Sequence, residues 1–266
     1  MRCGLQGQTP FMNGSRQEDF KPIPVTRGDG FLQGTTFALR QWVDLQLLTC
    51  TRFLKPRMAG LSGNVLDVGC GEMPFRSFLP NGVRYQGLDI EDAAKFGMHQ
   101  HPDVILFDGT SIPFPANSCD AVLCTEVLEH VANPELLVAE MMRVLRPGGV
   151  LLITVPFSAR VHHVPHDYCR FTSYGLQQLL TGFAIVDLLE RGNDYAVIAN
   201  KLVVLNARLL TSASRLKLLY AAPLCAFVFG PLAIAALLVA HLTMRLGLGS
   251  GDDPLGYACM ARKPGQ

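Results

Sequence analysis

Val65-Leu66-Asp67-Val68-Gly69-Cys70-Gly71 constrains this chain more than any other stretch. An apolar segment of β type runs directly into a turn whose two glycines let a ligand approach bare backbone where a side chain would stand in the way. A related arrangement recurs downstream: Asp89 closes Tyr85-Gln-Gly-Leu-Asp89, Asp108 closes Val104-Ile-Leu-Phe-Asp108, and Asp120-Ala-Val-Leu-Cys-Thr-Glu126 ends on Thr125 and an acid. Short strands that each finish on an acidic or small polar group line up those groups on the carboxyl edge of an open α/β sheet, where such sheets bind their ligands.

Strands are expected at 64–68, 84–88, 104–107, 120–124 and 150–155, with helices between them. The clearest helix runs from Pro134 to Leu145, with Asn133 as its natural N-cap and Pro134 at its first position. Pro147-Gly148-Gly149 ends it and turns into the next strand. This alternation predicts an α/β fold, a parallel sheet with helices on both faces. A single helix is expected ahead of the core, from about Thr35 to Leu54, with Phe37, Leu39, Trp42, Leu45, Leu48 and Phe53 on one face. A further helix is expected from Ser173 to Leu180, and strands at 184–189 and 255–262.

With 266 residues, 49% of them hydrophobic, the chain can bury one α/β core and something more. A net charge of +1 makes no electrostatic case for nucleic acid. The eight cysteines are scattered without a Cys-x-x-Cys pair and read as reduced thiols of a cytoplasmic protein. The first residues lack a basic start followed by an apolar core, so no secretory signal is expected. Residues 1–34, rich in Gly, Pro, Gln and Thr, read as a loosely ordered arm.

Charge is unevenly spread. No acidic residue lies between Asp194 and Asp252, whereas Lys201, Arg208, Arg215, Lys217 and Arg245 do. Within that span Leu218–Met244 is 27 residues without a formal charge when His241 is neutral, and about 20 apolar residues are enough to enter a bilayer.

Leu66-Asp-Val-Gly-Cys-Gly71, Ile112-Pro-Phe-Pro115, Asp120-Ala-Val-Leu-Cys-Thr-Glu-Val-Leu-Glu-His-Val131 and Val144-Leu-Arg-Pro-Gly-Gly-Val-Leu-Leu-Ile-Thr-Val-Pro156 together resemble the class I S-adenosylmethionine-dependent methyltransferases. They are most similar to the type 11, ubiquinone- and menaquinone-methyltransferase-like branch, over about residues 60–190. One departure is Met73, followed by Pro74, where the family usually has a third glycine. The resemblance implies a Rossmann-like seven-stranded sheet whose antiparallel seventh strand inserts between the fifth and sixth. It divides the chain into a methyltransferase domain at 35–194 and 252–266, with an apolar helical insertion at 195–251 between strands six and seven. With both ends fixed to one domain, the insertion cannot cross a membrane once. Pro223, Gly230 and Pro231 are the expected bends of a monotopic hairpin at the cytoplasmic face of a membrane, held through residues 196–250. The competing readings of the insertion are an apolar dimer interface and a helical lid.

The resemblance also implies the site. The donor would lie against Gly69 and Gly71, with Asp67 assisting by its charge or through water. Asp89 would accept the ribose hydroxyls, Asp108 and Gly109 would read the adenine edge, and Thr125 would approach the methionyl end. On the acceptor side, Arg160-Val-His-His-Val-Pro-His-Asp-Tyr-Cys-Arg-Phe-Thr172 follows strand five. There His166 is the candidate general base, oriented by Asp167, with Tyr168 and Arg170 positioning the acceptor. The bland alternative makes Tyr168 and Phe171 core anchors and pairs Arg170 with a structural acid.

Two metal readings are weighed and neither is adopted. His162, His163 and His166 with Asp167 could form a cluster, but adjacent histidines in a loop rarely point together and no cysteine joins them. Glu126-Val-Leu-Glu129-His130 resembles the Glu-x-x-Glu-His phrase that carries a divalent ion in ubiquinone-pathway O-methyltransferases, and on a helix Glu126 would share a face with Glu129 and His130, yet the phrase also occurs in relatives not known to hold metal. The functional expectation is methyl transfer, at oxygen, to a small or lipid-linked acceptor at a membrane surface, with no nucleic-acid partner. The alternatives are a non-catalytic membrane-attached scaffold and an NAD-dependent oxidoreductase. The dinucleotide fingerprint would be met by Asp89 but fails at Pro74, where its last glycine belongs.

Overall fold

The computed structural model describes residue 25 and residues 31–91, 101–211 and 215–265; most of the arm expected at 1–34 lies outside them. Seven strands, β1 (Asn64–Val68), β2 (Arg84–Ile90), β3 (Val104–Phe107), β4 (Cys119–Thr125), β5 (Leu145–Pro156), β6 (Ala184–Arg191) and β7 (Gly256–Arg262), form one sheet in the order β3-β2-β1-β4-β5-β7-β6. The first five pair in parallel, and β7 runs antiparallel between β5 and β6. The central strands carry apolar residues on both faces because both faces of the sheet are covered. Leu66, Val68, Val122, Cys124, Leu151 and Ile153 share one face with Leu137 and Met141 of α3 (Pro134–Val144) and Leu176 of α4 (Ser173–Leu179). Val65, Ala121, Leu123, Val150 and Leu152 form the other, against Phe53, Leu54 and Met58.

The expected helix at 35–54 is two helices, α1 (Phe31–Val43) and α2 (Leu45–Met58). The break is at Asp44, whose carboxylate accepts the Leu47 N–H at 3.1 Å, so its extended backbone caps α2 rather than continuing α1. Leu39 and Trp42 accordingly face outward instead of joining Phe53 in the core. At the start of α3, Asn133 occupies the cap position without a side-chain bond; its carbonyl takes the Leu136 N–H.

Between β6 and β7 the chain forms α5 (Asp194–Leu210), α6 (Arg215–Leu224) and α7 (Gly230–Leu246). Asn193 caps α5 through the Ala196 N–H, and its amide donates to Thr243 Oγ1 and the Leu248 carbonyl at the other end of the insertion. Farther out, the Asn206 amide donates to the Phe229 carbonyl. These two pairings set α5 and α7 side by side and antiparallel, with both feet on the sheet. The bends expected at Pro223, Gly230 and Pro231 are not there. Those residues stay helical, and the helix absorbs the irregularity as a π turn over Cys225–Phe229. The Gly230 N–H reaches the Cys225 carbonyl, and a Cβ on Gly230 would stand 2.4 Å from that oxygen.

The foot of this hairpin is buried: Ala196, Ala199, Leu237 and Ala240 pack with Leu45 of α2 and with Leu255. The Trp42 ring stacks on His241, whose Nε2 meets the Trp42 carbonyl at 2.8 Å. Within the helical stretch Leu219–Leu246, which also supplies Leu237 and Ala240 to this foot, an 18-residue window reaches a mean hydropathy of 2.3 and is only 17% buried.

Candidate active site

β1 stops where the backbone turns left-handed, at Gly69 (φ +71°) and Gly71 (φ +50°). The N–H groups of Gly69 and Cys70 both donate to the Leu88 carbonyl, at 2.8 and 3.0 Å, and so pin the turn to β2. A Cβ on Gly69 would lie 2.4 Å from a Val127 methyl, so both its conformation and its space call for glycine. Met73, at the position where the family places a third glycine, is itself left-handed (φ +52°). The turn therefore keeps the shape the glycine would give it, with methionine carrying the steric cost.

The acids stand at the strand ends in the expected order. Asp67 is buried on β1; Tyr85 donates to Oδ2 at 2.6 Å, and Oδ1 has no hydrogen-bond partner among the described residues. Burial pushes its carboxyl up to about 7, against the pull of the Tyr85 hydroxyl and with help from the Asp89 charge. Asp89 closes β2 with its two oxygens accepting the Gly71 and Ile90 N–H groups, each at 2.8 Å. Burial raises it while those N–H groups act downward. Each of its oxygens retains a lone pair for a hydroxyl. Asp108 is exposed; its Oδ1 accepts the Ser111 and Thr110 N–H groups, which hold its carboxyl below the usual range. That is a turn-capping role, and it leaves the adenine-edge expectation resting on position alone. Gly109 beside it is left-handed (φ +80°), and Thr125 ends β4 opposite Thr154 of β5.

One hub escaped the sequence reading. Arg191 at the end of β6 is fully enclosed, and its guanidinium donates to Glu126 Oε1 (2.7 Å), the Val155 carbonyl (3.0 Å), Cys50 Sγ (2.6 Å) and, at longer range, the carbonyls of Tyr257 and Gln46. Glu126 is left-handed (φ +55°), a conformation a non-glycine residue holds only when its surroundings fix it. Burial pushes the Cys50 thiol up to about 12, which keeps it a neutral neighbour. The available signal was a lone arginine ending an apolar strand just before Gly192-Asn193.

The helix on which Glu126, Glu129 and His130 would share a face is not present. Only Leu128–His130 is helical, as a single 3-10 turn, and Glu126 is committed to Arg191. Glu129 is wholly buried, and burial holds its carboxyl well above the ordinary range. Loop 157–172 folds back over this turn: the Tyr168 N–H donates to the Glu129 carbonyl at 2.8 Å, and His130 Nδ1 meets the His166 carbonyl at 2.6 Å. Asp167 does not orient His166. It holds Arg170 through two hydrogen bonds and accepts the His162 N–H at 2.9 Å. Burial works to raise Asp167, but these bonds outweigh it and keep the carboxyl ionised. His166 Nδ1 instead lies 3.0 Å from the hydroxyl of Tyr168, which is exposed. Arg170 is thus a structural brace, while His166 and Tyr168 form a pair at the loop's surface. The Lys201 ammonium of α5 donates to the Ser158 carbonyl and ties the same loop to the hairpin.

A 3-2-1-4-5-7-6 sheet with an antiparallel seventh strand, a left-handed glycine turn after β1 and acids closing β1 and β2 defines the class I methyltransferase fold. Residues 66–153, about a third of the chain, match the family model described as a methyltransferase domain, and this match together with the fold supports a class I S-adenosylmethionine-dependent methyltransferase. An uncharacterized methyltransferase of Mycolicibacterium vanbaalenii is 38% identical over 102 residues, 36% of this chain and 39% of that protein. A probable S-adenosylmethionine-dependent methyltransferase of Mycolicibacterium smegmatis is 35% identical over 97 residues, 35% of this chain and 38% of that protein. The matches thus span about two fifths of the length of these curated relatives, and none singles out the quinone-pathway branch.

Among solved structures, the [4+2]-cyclase SpnF superposes with a TM-score of 0.51 at 24% identity, covering 83% of this chain and 82% of its own. A SAM-dependent methyltransferase from Archaeoglobus fulgidus gives 0.50 at 18% identity, covering 86% and 99%. These likenesses are of fold, and they join a cyclase to a methyltransferase; the chemistry has to be argued from the site.

Proposed function

We propose that this chain transfers the methyl group of S-adenosylmethionine to an oxygen of a small or lipid-linked acceptor at a membrane surface. The observation that carries the reading is the edge formed by β1 and β2: two left-handed glycines, the Asp89 carboxylate beside them, and a buried Asp67 whose Oδ1 has no hydrogen-bond partner among the described residues. An unsatisfied buried carboxylate oxygen is costly unless a ligand or water meets it, and this one lies next to a turn shaped for close approach.

When bound, S-adenosylmethionine supplies a methyl group on a positively charged sulfur. Gly69 and Gly71 offer bare backbone to its methionyl and ribose parts, Asp67 compensates its positive charge directly or through water, and Asp89 takes the ribose hydroxyls. Asp108 with Gly109 bounds the adenine, and Thr125 approaches the methionyl end. His166, with Tyr168 beside it, accepts the acceptor hydroxyl's proton as that oxygen forms its bond to carbon and the carbon–sulfur bond breaks. Holding the acceptor in line within a dry pocket supplies much of the acceleration in such a displacement.

The membrane part of the reading is supported by the hairpin. The 28-residue helical stretch Leu219–Leu246 contains an 18-residue apolar window that is only 17% buried, and an outward apolar surface of that kind marks a membrane or partner contact. With both feet on one domain, it suits insertion into a single leaflet. Lys201 braces loop 157–172 against this hairpin, so the acceptor side would face lipid.

The test is to incubate the purified full chain in detergent with methyl-labelled donor and a membrane lipid extract. Label is expected in an organic-soluble product from the wild type and not from Asp89→Ala. No transferred label, or equal transfer by both, contradicts the reading and favours a scaffold. Full turnover by His166→Ala would remove the base assignment alone.

A further inference from the structure

His130, His162 and His163 converge. Their ring centroids are 4.7, 5.0 and 5.0 Å apart pairwise, and each offers a ligand atom within 4.8 Å of the other two. Two histidines adjacent in sequence normally project to opposite sides of an extended chain. Here the backbone turns left-handed at His163 (φ +54°), which breaks that alternation, and both rings meet His130 across the loop.

From this geometry we infer a site for one divalent first-row transition ion, bound by the imidazoles of His130, His162 and His163 and completed by the Glu129 carboxylate. Two further observations support it. The Nδ1 atoms of His130 and His162 are already engaged, with the His166 carbonyl at 2.6 Å and the Arg160 carbonyl at 3.0 Å. Anchoring one ring nitrogen on a carbonyl fixes the tautomer and leaves Nε2 as a lone-pair donor, the usual outer-shell arrangement of a ligating histidine. The Asp167 carboxylate, 3.4 Å from His162 Nδ1, reinforces this. Second, Glu129 is wholly buried with neither oxygen hydrogen-bonded among the described residues, and its Oε1 lies 3.5 Å from His130 Nε2.

Nitrogen-rich ligation with one carboxylate suits zinc, cobalt or iron rather than magnesium or calcium. Metal–nitrogen bonds of about 2.0–2.1 Å put tetrahedral ligands roughly 3.4 Å apart, so the rings close by about an ångström of side-chain rotation. The ion would clip loop 157–172, which carries His166, to the turn after β4.

The inference does not rest on the methyl-transfer reading: donor titration and metal titration are separate readouts, and either can fail alone. Metal-free full chain in detergent is titrated with Zn²⁺ by calorimetry and with Co²⁺ by visible absorption. The expected result is one ion per chain and an intense four-coordinate cobalt band, both weakened roughly a hundredfold or more in His162→Ala/His163→Ala. His166→Ala, which removes a ring outside the cluster, is expected to bind metal like wild type. Should the double variant fail to fold by circular dichroism, His162→Gln and His163→Gln are measured singly, and each must weaken binding. No stoichiometric site in the wild type, or an unchanged cobalt spectrum in the folded variants, overturns the inference.

Discussion

Asp67 is the residue whose chemistry depends most on its surroundings. Its carboxyl titrates near 7 in the fold against an ordinary value of 3.8, so the folded chain holds this proton over a range where the unfolded chain has lost it. A group with its folded pKa raised contributes stability that is complete below the unfolded value and disappears as pH rises through the folded one. The ligand-free protein is therefore expected to lose up to a few kcal/mol between about pH 4 and 7 from this group. Donor affinity should move the opposite way, because a positively charged ligand is favoured by the ionised carboxylate. Thermal melts and donor titrations from pH 5.5 to 8.5 check both signs, and Asp67→Asn should flatten both profiles. Met73 makes a sharper local prediction. A left-handed non-glycine residue costs roughly 1–2 kcal/mol, which about offsets the ~1 kcal/mol usually lost when glycine replaces another residue. Met73→Gly should thus be neutral to about 1 kcal/mol stabilising by chemical denaturation, where an ordinary substitution to glycine would destabilise.

At the scale of elements, the junction of β4, β6 and α2 depends on Arg191. Removing one partner of a buried, multiply bonded ion pair leaves the others unsatisfied and costs about 3–5 kcal/mol. Arg191→Ala is expected to show that loss in urea unfolding and to release the strained Glu126 turn. Arg191→Lys should recover only part of it, because an ammonium cannot reproduce the planar fork.

Strands and glycine turn were legible because apolar runs with acids at their ends have few other uses. The break at Asp44 was not, since a continuous apolar stripe reads the same whether one helix or two carry it, and only the carboxylate's bond to Leu47 decides. Nor was the hairpin's geometry. Pro223, Gly230 and Pro231 look like bends, yet a π turn accommodates them, and the side-to-side amide bonds of Asn193 and Asn206 that align the helices leave no periodic trace. Among the candidate catalytic residues, proximity in sequence misled: Asp167 is next to His166 but serves Arg170 and His162.

For the whole molecule, the topology separates two environments. The sheet is packed between helices, whereas Leu219, Phe227, Leu232, Leu238 and Leu242 of the hairpin are exposed, as are Leu39 and Trp42 of α1, the Trp42 ring stacking on His241. Phe227 is 81% exposed, which no buried-core role explains. The wild type is expected to float with anionic vesicles. Leu238→Glu/Leu242→Glu, which alters only outward positions, should remain in the soluble fraction with unchanged circular dichroism. A wild type that is a stable dimer in detergent-free buffer and ignores vesicles would instead assign this surface to a second copy of the chain.

The central claim is that the turn after β1, with Asp67 and Asp89, holds S-adenosylmethionine. Isothermal calorimetry of the folded full chain at pH 8, titrated with S-adenosylmethionine and with S-adenosylhomocysteine, tests it most directly. The account predicts one site per chain for each ligand, with binding lost in Asp89→Ala. An absence of binding heat for both ligands at more than one temperature, or an isotherm that Asp89→Ala leaves unchanged, would contradict it.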